Sequence, residues 1–361
     1  MPRSDILILV TGPGEIPRRM AHSLRAVLMA CNPYLHIDLL ASPPSLQNTR
    51  SPFVLTDMVE RLLSRYEGFC FSRHLTRLLR EDRPKAVVCA SPTAAALFSR
   101  CKEKGKLKTP AAAVVTGDPS LWVQAGLDLY LVAAEPVRDW LIREGLPEDK
   151  VVVTDLPVHP RFALTHLPSL LRSRYNLLED IPSVLLTGEL ANDKNAISAL
   201  ARFSPGIQLL VYPGTTSTRI PRFVKGLSRN SLNQFQFFTG GETMDELLDA
   251  TWVLLTSPDD LMAAEAIAKS IPFIIYRPRP QDVYAHHLEE TGLALTAATP
   301  GELTGKLRSI LRNKSERERL RRAERYAAKN FSRPEIAGLL LSLLEPPPLP
   351  LRSPQPGSPR R

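Results

Sequence analysis

Short apolar runs, each closed by a turn and followed by a helical stretch, recur along most of this chain. Ile6–Val10 leads into Thr11-Gly12-Pro13-Gly14 and then a helical Arg18–Ala30. Ile37–Ala41, Ala86–Ala90, Ala111–Thr116, Leu129–Ala133 and Val151–Thr154 read as further strands, with helices over Thr93–Lys104 and Pro136–Glu144. Val54–Arg80 has helical apolar spacing interleaved with arginines. Strands alternating with helices predict parallel strands joined by crossovers. The rhythm breaks at Leu156–Leu170, rich in proline and histidine, and restarts at Ser183–Thr187. Strands then fall at Gln208–Tyr212, Phe235–Phe238, Trp252–Thr256 and Pro272–Tyr276, and helices at Asp193–Arg202, Thr243–Asp249, Leu261–Ser270 and Val283–Thr291. One long helix is expected over Pro300–Lys329 and a last one over Pro334–Leu344. The chain therefore divides into an α/β unit over 1–160, a linker over 161–180, a second α/β unit over 181–344 and a tail over 345–361. Seven prolines in that tail exclude a packed helix or strand and imply disorder.

Composition narrows the class. At 361 residues, 43% hydrophobic and 23% charged, both units can bury a full core. No apolar run approaches the ~18–20 residues that span a bilayer. The first ten residues lack the apolar region and cleavage site of a signal peptide. Cys31, Cys70, Cys89 and Cys101 form no C-x-x-C pair and fit a reducing compartment. His286 and His287 are adjacent and point to different helix faces, so no metal site is expected. The net charge of +9 is uneven: residues 301–361 hold 14 basic and 6 acidic side chains, residues 166–300 hold 11 and 14. A basic C-terminal region suits an anionic membrane surface. Without aromatic interleaving or a nucleic-acid motif, it does not indicate nucleic acid.

Four turns carry candidate chemistry. Gly12 and Gly14 let the backbone approach a ligand, and Glu15 stands at the lip of that turn, as a general base or a helix cap. Asp118, at the end of a strand in Thr116-Gly117-Asp118-Pro119, is placed to hold an acceptor hydroxyl or to form an Asx turn. The third is Ser257-Pro258-Asp259-Asp260-Leu261, opening a helix of small residues that contains one acid, Glu265. A helix N-terminus suits phosphate, and a carboxylate can accept two hydrogen bonds from a ribose diol. The fourth is Arg277-Pro278-Arg279-Pro280-Gln281-Asp282, with bases for phosphate and polar groups for sugar hydroxyls.

In this order these residues resemble the GT-B glycosyltransferases, two Rossmann-like domains facing a cleft. They look most like the monogalactosyldiacylglycerol synthases and processive diacylglycerol glucosyltransferases, and more distantly like the peptidoglycan enzyme that adds N-acetylglucosamine to a lipid-linked muramyl peptide. The likeness lies in His74–Pro84 with Ala86–Cys89, in Thr116–Phe162, and in Ser257–Pro272. It implies a nucleotide-sugar donor, UDP-linked, in the second domain and a lipid acceptor such as diacylglycerol at the first. It implies a cytoplasmic protein held peripherally on an anionic membrane face, with no metal and no cofactor. By resemblance, Glu265 holds the donor ribose. Gln281 and Asp282 face the sugar. Gly188, Gly240, Met244, Ser257, Asp259, Asp260 and Leu261 line the nucleotide with Arg277. Glu15 or Asp118 acts as base.

The chain departs from that pattern at three places. Glu15 replaces a histidine, Glu189 and Leu190 replace glycines after Gly188, and Asp259 and Asp260 replace a glycine pair. Two carboxylates where a diphosphate should sit repel it, by on the order of 4 kcal/mol per contact near 4 Å at an effective dielectric of ~20. Two other readings follow: a GT-B scaffold that has lost catalysis and serves binding or regulation, and a nucleotide-sugar 2-epimerase.

Overall fold

In the computed structural model, residues 4–11, 15–41, 75–105, 108–123, 126–204, 206–214, 233–238, 244–277, 279–329 and 335–344 are described. β1 (Ile6–Val10) is buried at every position, the signature of a central parallel strand covered on both faces. It leads to α1 (Glu15–Cys31), whose buried face is Met20, Ala21, Ser23, Leu24, Val27 and Leu28, and then to β2 (Ile37–Ala41). Residues 75–81 are helical; the rest of the Val54–Arg80 stretch lies outside the described residues. The first lobe continues through β3 (Ala86–Cys89), α2 (Pro92–Gly105), β4 (Ala111–Val114), β5 (Leu129–Val132), α3 (Glu135–Arg143) and β6 (Val151–Val153). Its sheet is wholly parallel, in the order β2-β1-β3-β4-β5-β6.

The linker carries a helix that the sequence rhythm missed, α4 (Pro168–Arg174). Pro168 starts it rather than breaking it, because a proline in the first turn gives up an N–H that has no helical partner anyway. The second lobe runs β7 (Ser183–Thr187), α5 (Lys194–Ala201), β8 (Gln208–Tyr212), β9 (Gln234–Phe237), α6 (Met244–Asp249), β10 (Val253–Thr256), α7 (Asp260–Lys269), β11 (Phe273–Tyr276), α8 (Val283–Glu290) and β12 (Leu295–Ala297). The short β12 was not anticipated. The strand order β12-β11-β10-β7-β8-β9 is again all parallel.

The single helix expected over Pro300–Lys329 is two, α9 (Pro300–Arg312) and α10 (Lys314–Ala328). Asn313 is extended (φ −96°, ψ 99°) and its side chain accepts from the Glu316 N–H at 3.2 Å. That cap restarts the helix, and Asn-x-x-Glu is its sequence signal. The last helix, α11 (Glu335–Ser342), leaves the second lobe and packs on α1.

The apolar interior follows this path. One face of the second sheet is closed by α5 and α9 through Ile197, Leu200, Leu303 and Leu307. The other face, with α6, α7 and α11, belongs to an apolar cluster continuous with the first lobe's core. Leu340 of α11 is fully buried in it, so its truncation to alanine is expected to cost about 2–5 kcal/mol.

Candidate active site

In an open parallel sheet, ligands bind beyond the carboxyl ends of the strands, where the strand order reverses. The first lobe reverses between β1 and β3. There the Ser91 hydroxyl accepts the Thr11 N–H at 3.2 Å and ties the two strand ends together. The second lobe reverses between β7 and β10, and Ser257 does the same by accepting the Glu189 N–H at 3.1 Å. Gly188 makes this possible. Its φ is +66°, and a side-chain carbon there would collide with the Ser257 hydroxyl.

The first turns of α1 reach across to the second switch point. Together they enclose a cavity of about 680 Å³, within the range of small-molecule sites. Glu15, Ile16 and Arg19 form its first-lobe wall. Gly188, Glu189, Asp193, Tyr212, Gly214, Ser257, Asp259, Tyr276, Arg277 and Arg279 are on the second-lobe side. Glu15 and Arg19 are four residues apart on α1 and so share one face. The Tyr212 hydroxyl donates to Glu15 Oε1 at 3.2 Å. Gly214 has φ +100°, and a side-chain carbon on it would strike the Glu15 carboxylate.

The helix opened by Asp259 and Asp260 is capped by its own acids. Asp259 Oδ1 accepts the Met262 N–H at 3.0 Å, while its Oδ2 faces Arg19 Nη1 at 3.4 Å. Asp260 Oδ2 accepts the Gly117 N–H of the first lobe at 2.7 Å. The positive end of α7 is thus neutralised from within. Glu265, one turn further on, has 2% of its surface exposed, and its carboxylate is ion-paired to Arg19 Nη2. Small neighbours, Ala263, Ala264 and Ala266, are buried around it.

Burial dominates the electrostatics. It pushes the Asp260 carboxyl up to about 7, with Asp259 and Asp282 adding to the rise against the Gly117 hydrogen bond. It pushes Glu265 up to about 7 as well, against the pull of Arg19. Burial alone would lower the Arg19 guanidinium, but Glu265, Asp259 and Glu15 outweigh it and hold its proton more tightly than usual.

The residues singled out from sequence are distributed unevenly. Glu15, Gly188, Ser257, Asp259, Arg277 and Arg279 line the cavity, and Glu265 is buried beside it. Asp118 caps a 3-10 turn, accepting from the Ser120 N–H at 2.9 Å and the Ser120 hydroxyl at 2.6 Å. Met244 and Leu261 are core residues, since each sits on the inward face of its helix. Asp282 is buried and accepts the Arg279 N–H at 2.5 Å. Gln281 is half-buried beside it. Arg277 is held by Asp193 at 3.1 Å and stacks on Tyr276, 4.9 Å from the ring centre. Gly12, Gly14 and Gly240 lie outside the described residues. Sequence reading missed Arg19, Tyr212 and Gly214. The i,i+4 spacing from Glu15 was the one local signal for Arg19.

The chain as a whole has counterparts in sequence and fold. The model of the monogalactosyldiacylglycerol (MGDG) synthase family matches residues 53–158, most of the first lobe after β2. A processive diacylglycerol beta-glucosyltransferase of Bacillus cereus (strain B4264) is 24% identical over 309 residues, 82% of this chain and 77% of that one. Sucrose-phosphate synthase from Thermosynechococcus elongatus superposes with a TM-score of 0.67 at 14% identity, covering 94% of this chain and 98% of its own.

The chain has the GT-B fold and resembles the lipid-glycosylating members of that group at a distance.

The fold alone does not separate activities. A UDP-GlcNAc 2-epimerase from Neisseria meningitidis, solved with UDP-GlcNAc bound, also superposes on this chain. The TM-score is 0.63 at 12% identity, over 93% of this chain and all of that one. Glu15, Asp259 and Asp260, three residues at which the sequence departs from the pattern it resembles, bond the two lobes across the cleft together with Glu265. Among the described residues no helix is long and apolar enough to cross a membrane.

Proposed function

We propose that this protein is a glycosyltransferase that moves a hexosyl group from a nucleotide diphosphate sugar, UDP-linked, to a membrane lipid acceptor such as diacylglycerol. The observation that carries the reading is the cavity of about 680 Å³ bounded by the second lobe's switch point and the start of α1, with Glu265 beside it. The nucleotide occupies the second-lobe side, with its ribose diol toward Glu265. Arg277 and Arg279 lie on the cavity wall where cations help a diphosphate leave. Glu15 enters from the acceptor side and is the general base for the acceptor hydroxyl; Tyr212 orients it. The acceptor class follows the names of the relatives. Peripheral attachment on anionic lipid follows the basic excess of residues 301–361.

A second reading has its own observation. Asp259 and Asp260 satisfy the helix end that a diphosphate would use, as in a scaffold that has given up catalysis. Titration with UDP, followed by an assay with UDP-glucose, UDP-galactose and diacylglycerol vesicles, separates the two. Micromolar UDP affinity with glycolipid formation supports the enzyme. No heat at millimolar UDP supports the scaffold. Conversion of UDP-GlcNAc to its 2-epimer, with no glycolipid, would replace both.

A further inference from the structure

The cleft poses a charge problem. Three carboxylates, Asp259, Asp260 and Glu265, stand on the first turns of α7, and a fourth, Glu15, lines the cavity beside them. A diphosphate brings more negative charge to the same place, and the helix end is already occupied by Asp259. Arg277 and Arg279, on the wall of the same cavity, are already paired with Asp193 and Asp282. The guanidinium that meets the acids is Arg19, which comes from the other lobe. Its two terminal nitrogens are divided between Asp259 and Glu265. Its side chain keeps 19% of its surface exposed and forms part of the cavity wall.

We infer that Arg19 is a donor-binding residue that works by exchange: its guanidinium leaves Glu265 for the donor diphosphate, and Glu265 is thereby released to the ribose diol. This rests on the donor reading of the cleft given above. The geometry favours an exchange over a fixed role. Arg19 holds one carboxylate oxygen of Glu265, Oε2, so while it stays there Glu265 cannot offer both oxygens to a ribose diol. Arg19 in turn cannot leave a buried carboxylate uncompensated unless the ribose hydroxyls replace it. A planar fork suits both partners, because it binds a carboxylate or a phosphate through paired N–H donors. The same step brings the first lobe onto the donor, since Arg19 is fixed to α1 four residues from Glu15. Donor binding and placement of the base are then one event.

The test compares UDP with uridine by calorimetry, on wild type, Arg19→Ala and Arg19→Lys. Wild type should prefer UDP. In Arg19→Ala the preference should fall by about tenfold or more, with uridine affinity equal or higher because Glu265 is freed. Arg19→Lys retains the charge without the fork and should lose about threefold to tenfold of the preference. If Arg19→Ala does not fold, the lysine variant carries the test. A UDP-to-uridine ratio unchanged in both variants, or UDP bound more tightly by Arg19→Ala, overturns the exchange and leaves Arg19 a latch. Wild type that binds neither probe overturns the donor reading itself, and the exchange with it.

Discussion

Two polar seams hold the second lobe, one to the first lobe and one to the linker, and α7 has one end in each. At its N-terminus, in the cleft, Asp259, Asp260 and Glu265 meet Arg19 and the Gly117 N–H from the first lobe. At its C-terminus, beside the linker, Lys269 and Asp249 meet at 2.7 Å, and Asp249 also holds His166 Nδ1 at 2.8 Å. Arg161 faces Asp245 at 3.3 Å, and Tyr175 donates to Glu246 at 2.8 Å. The chemistry is the same, acids of the second lobe against bases and phenols. The chain distance is not. Arg19 and Glu265 are 246 residues apart, whereas His166 and Asp249 are 83 apart and His166 belongs to the linker itself. The linker seam closes at little entropic cost and competes with no ligand. The cleft seam crosses the site and has to open for one. Position relative to the cavity, more than bond type, separates an ion pair that is structural from one that is functional.

Breaking each seam in turn should therefore give opposite profiles. Asp249→Ala leaves Lys269, whose side chain is 4% exposed, with the Leu164 carbonyl but no counter-charge, and is expected to cost about 3–5 kcal/mol in urea unfolding while leaving UDP affinity unchanged. Glu265→Ala should cut UDP affinity by about a hundredfold, as charge-assisted hydrogen bonds of about 1.5–3 kcal/mol each are lost. A fall in UDP affinity for Asp249→Ala as deep as for Glu265→Ala would erase the distinction between the seams.

Coupling energies sharpen it. A double-mutant cycle on Arg19 and Glu265 is expected to give about 2–3 kcal/mol of stability, because both are enclosed. The cycle on Arg161 and Asp245 should give under about 1 kcal/mol, since Arg161 is partly in solvent. Equal couplings would contradict the contrast in burial.

The cleft seam should also respond to pH. Asp260 has its carboxyl raised to about 7, so the folded protein holds a proton there that the unfolded chain releases near 4. That contribution is fully present below about pH 4 and is lost as pH rises through 7. Asp260→Asn keeps an acceptor for the Gly117 N–H and removes the charge. Its stability relative to wild type should climb from pH 4 to 7 and level off about 1–3 kcal/mol higher. A flat difference across that range would show that Asp260 does not carry the proton.

The smallest effects form a matched pair. Tyr212→Phe and Tyr175→Phe each remove one phenol–carboxylate hydrogen bond, to Glu15 and to Glu246, for about 1 kcal/mol of stability. Only Tyr212→Phe should lower glycosyl transfer, by loosening the base.

The sequence by itself determined the two-lobed α/β plan. Buried runs such as Ile6–Val10 and Ser183–Thr187 are legible because a central parallel strand is apolar on both faces, and the turns that follow are set by neighbouring residues. Glu265 stood out for a local reason too, as one acid in a helix of alanines. The split at Asn313 and the start at Pro168 were in principle readable as caps, yet they were overlooked because apolar spacing runs on through them. What only the tertiary structure decided is who meets whom across the cleft. Asp259 and Asp260 read as an obstacle to phosphate; in the fold they are anchors for Arg19 and Gly117. No local period or motif encodes a contact between α1 and α7. It exists because two separately folded sheets, joined by a linker and an apolar core they share, turn their strand ends to one cavity.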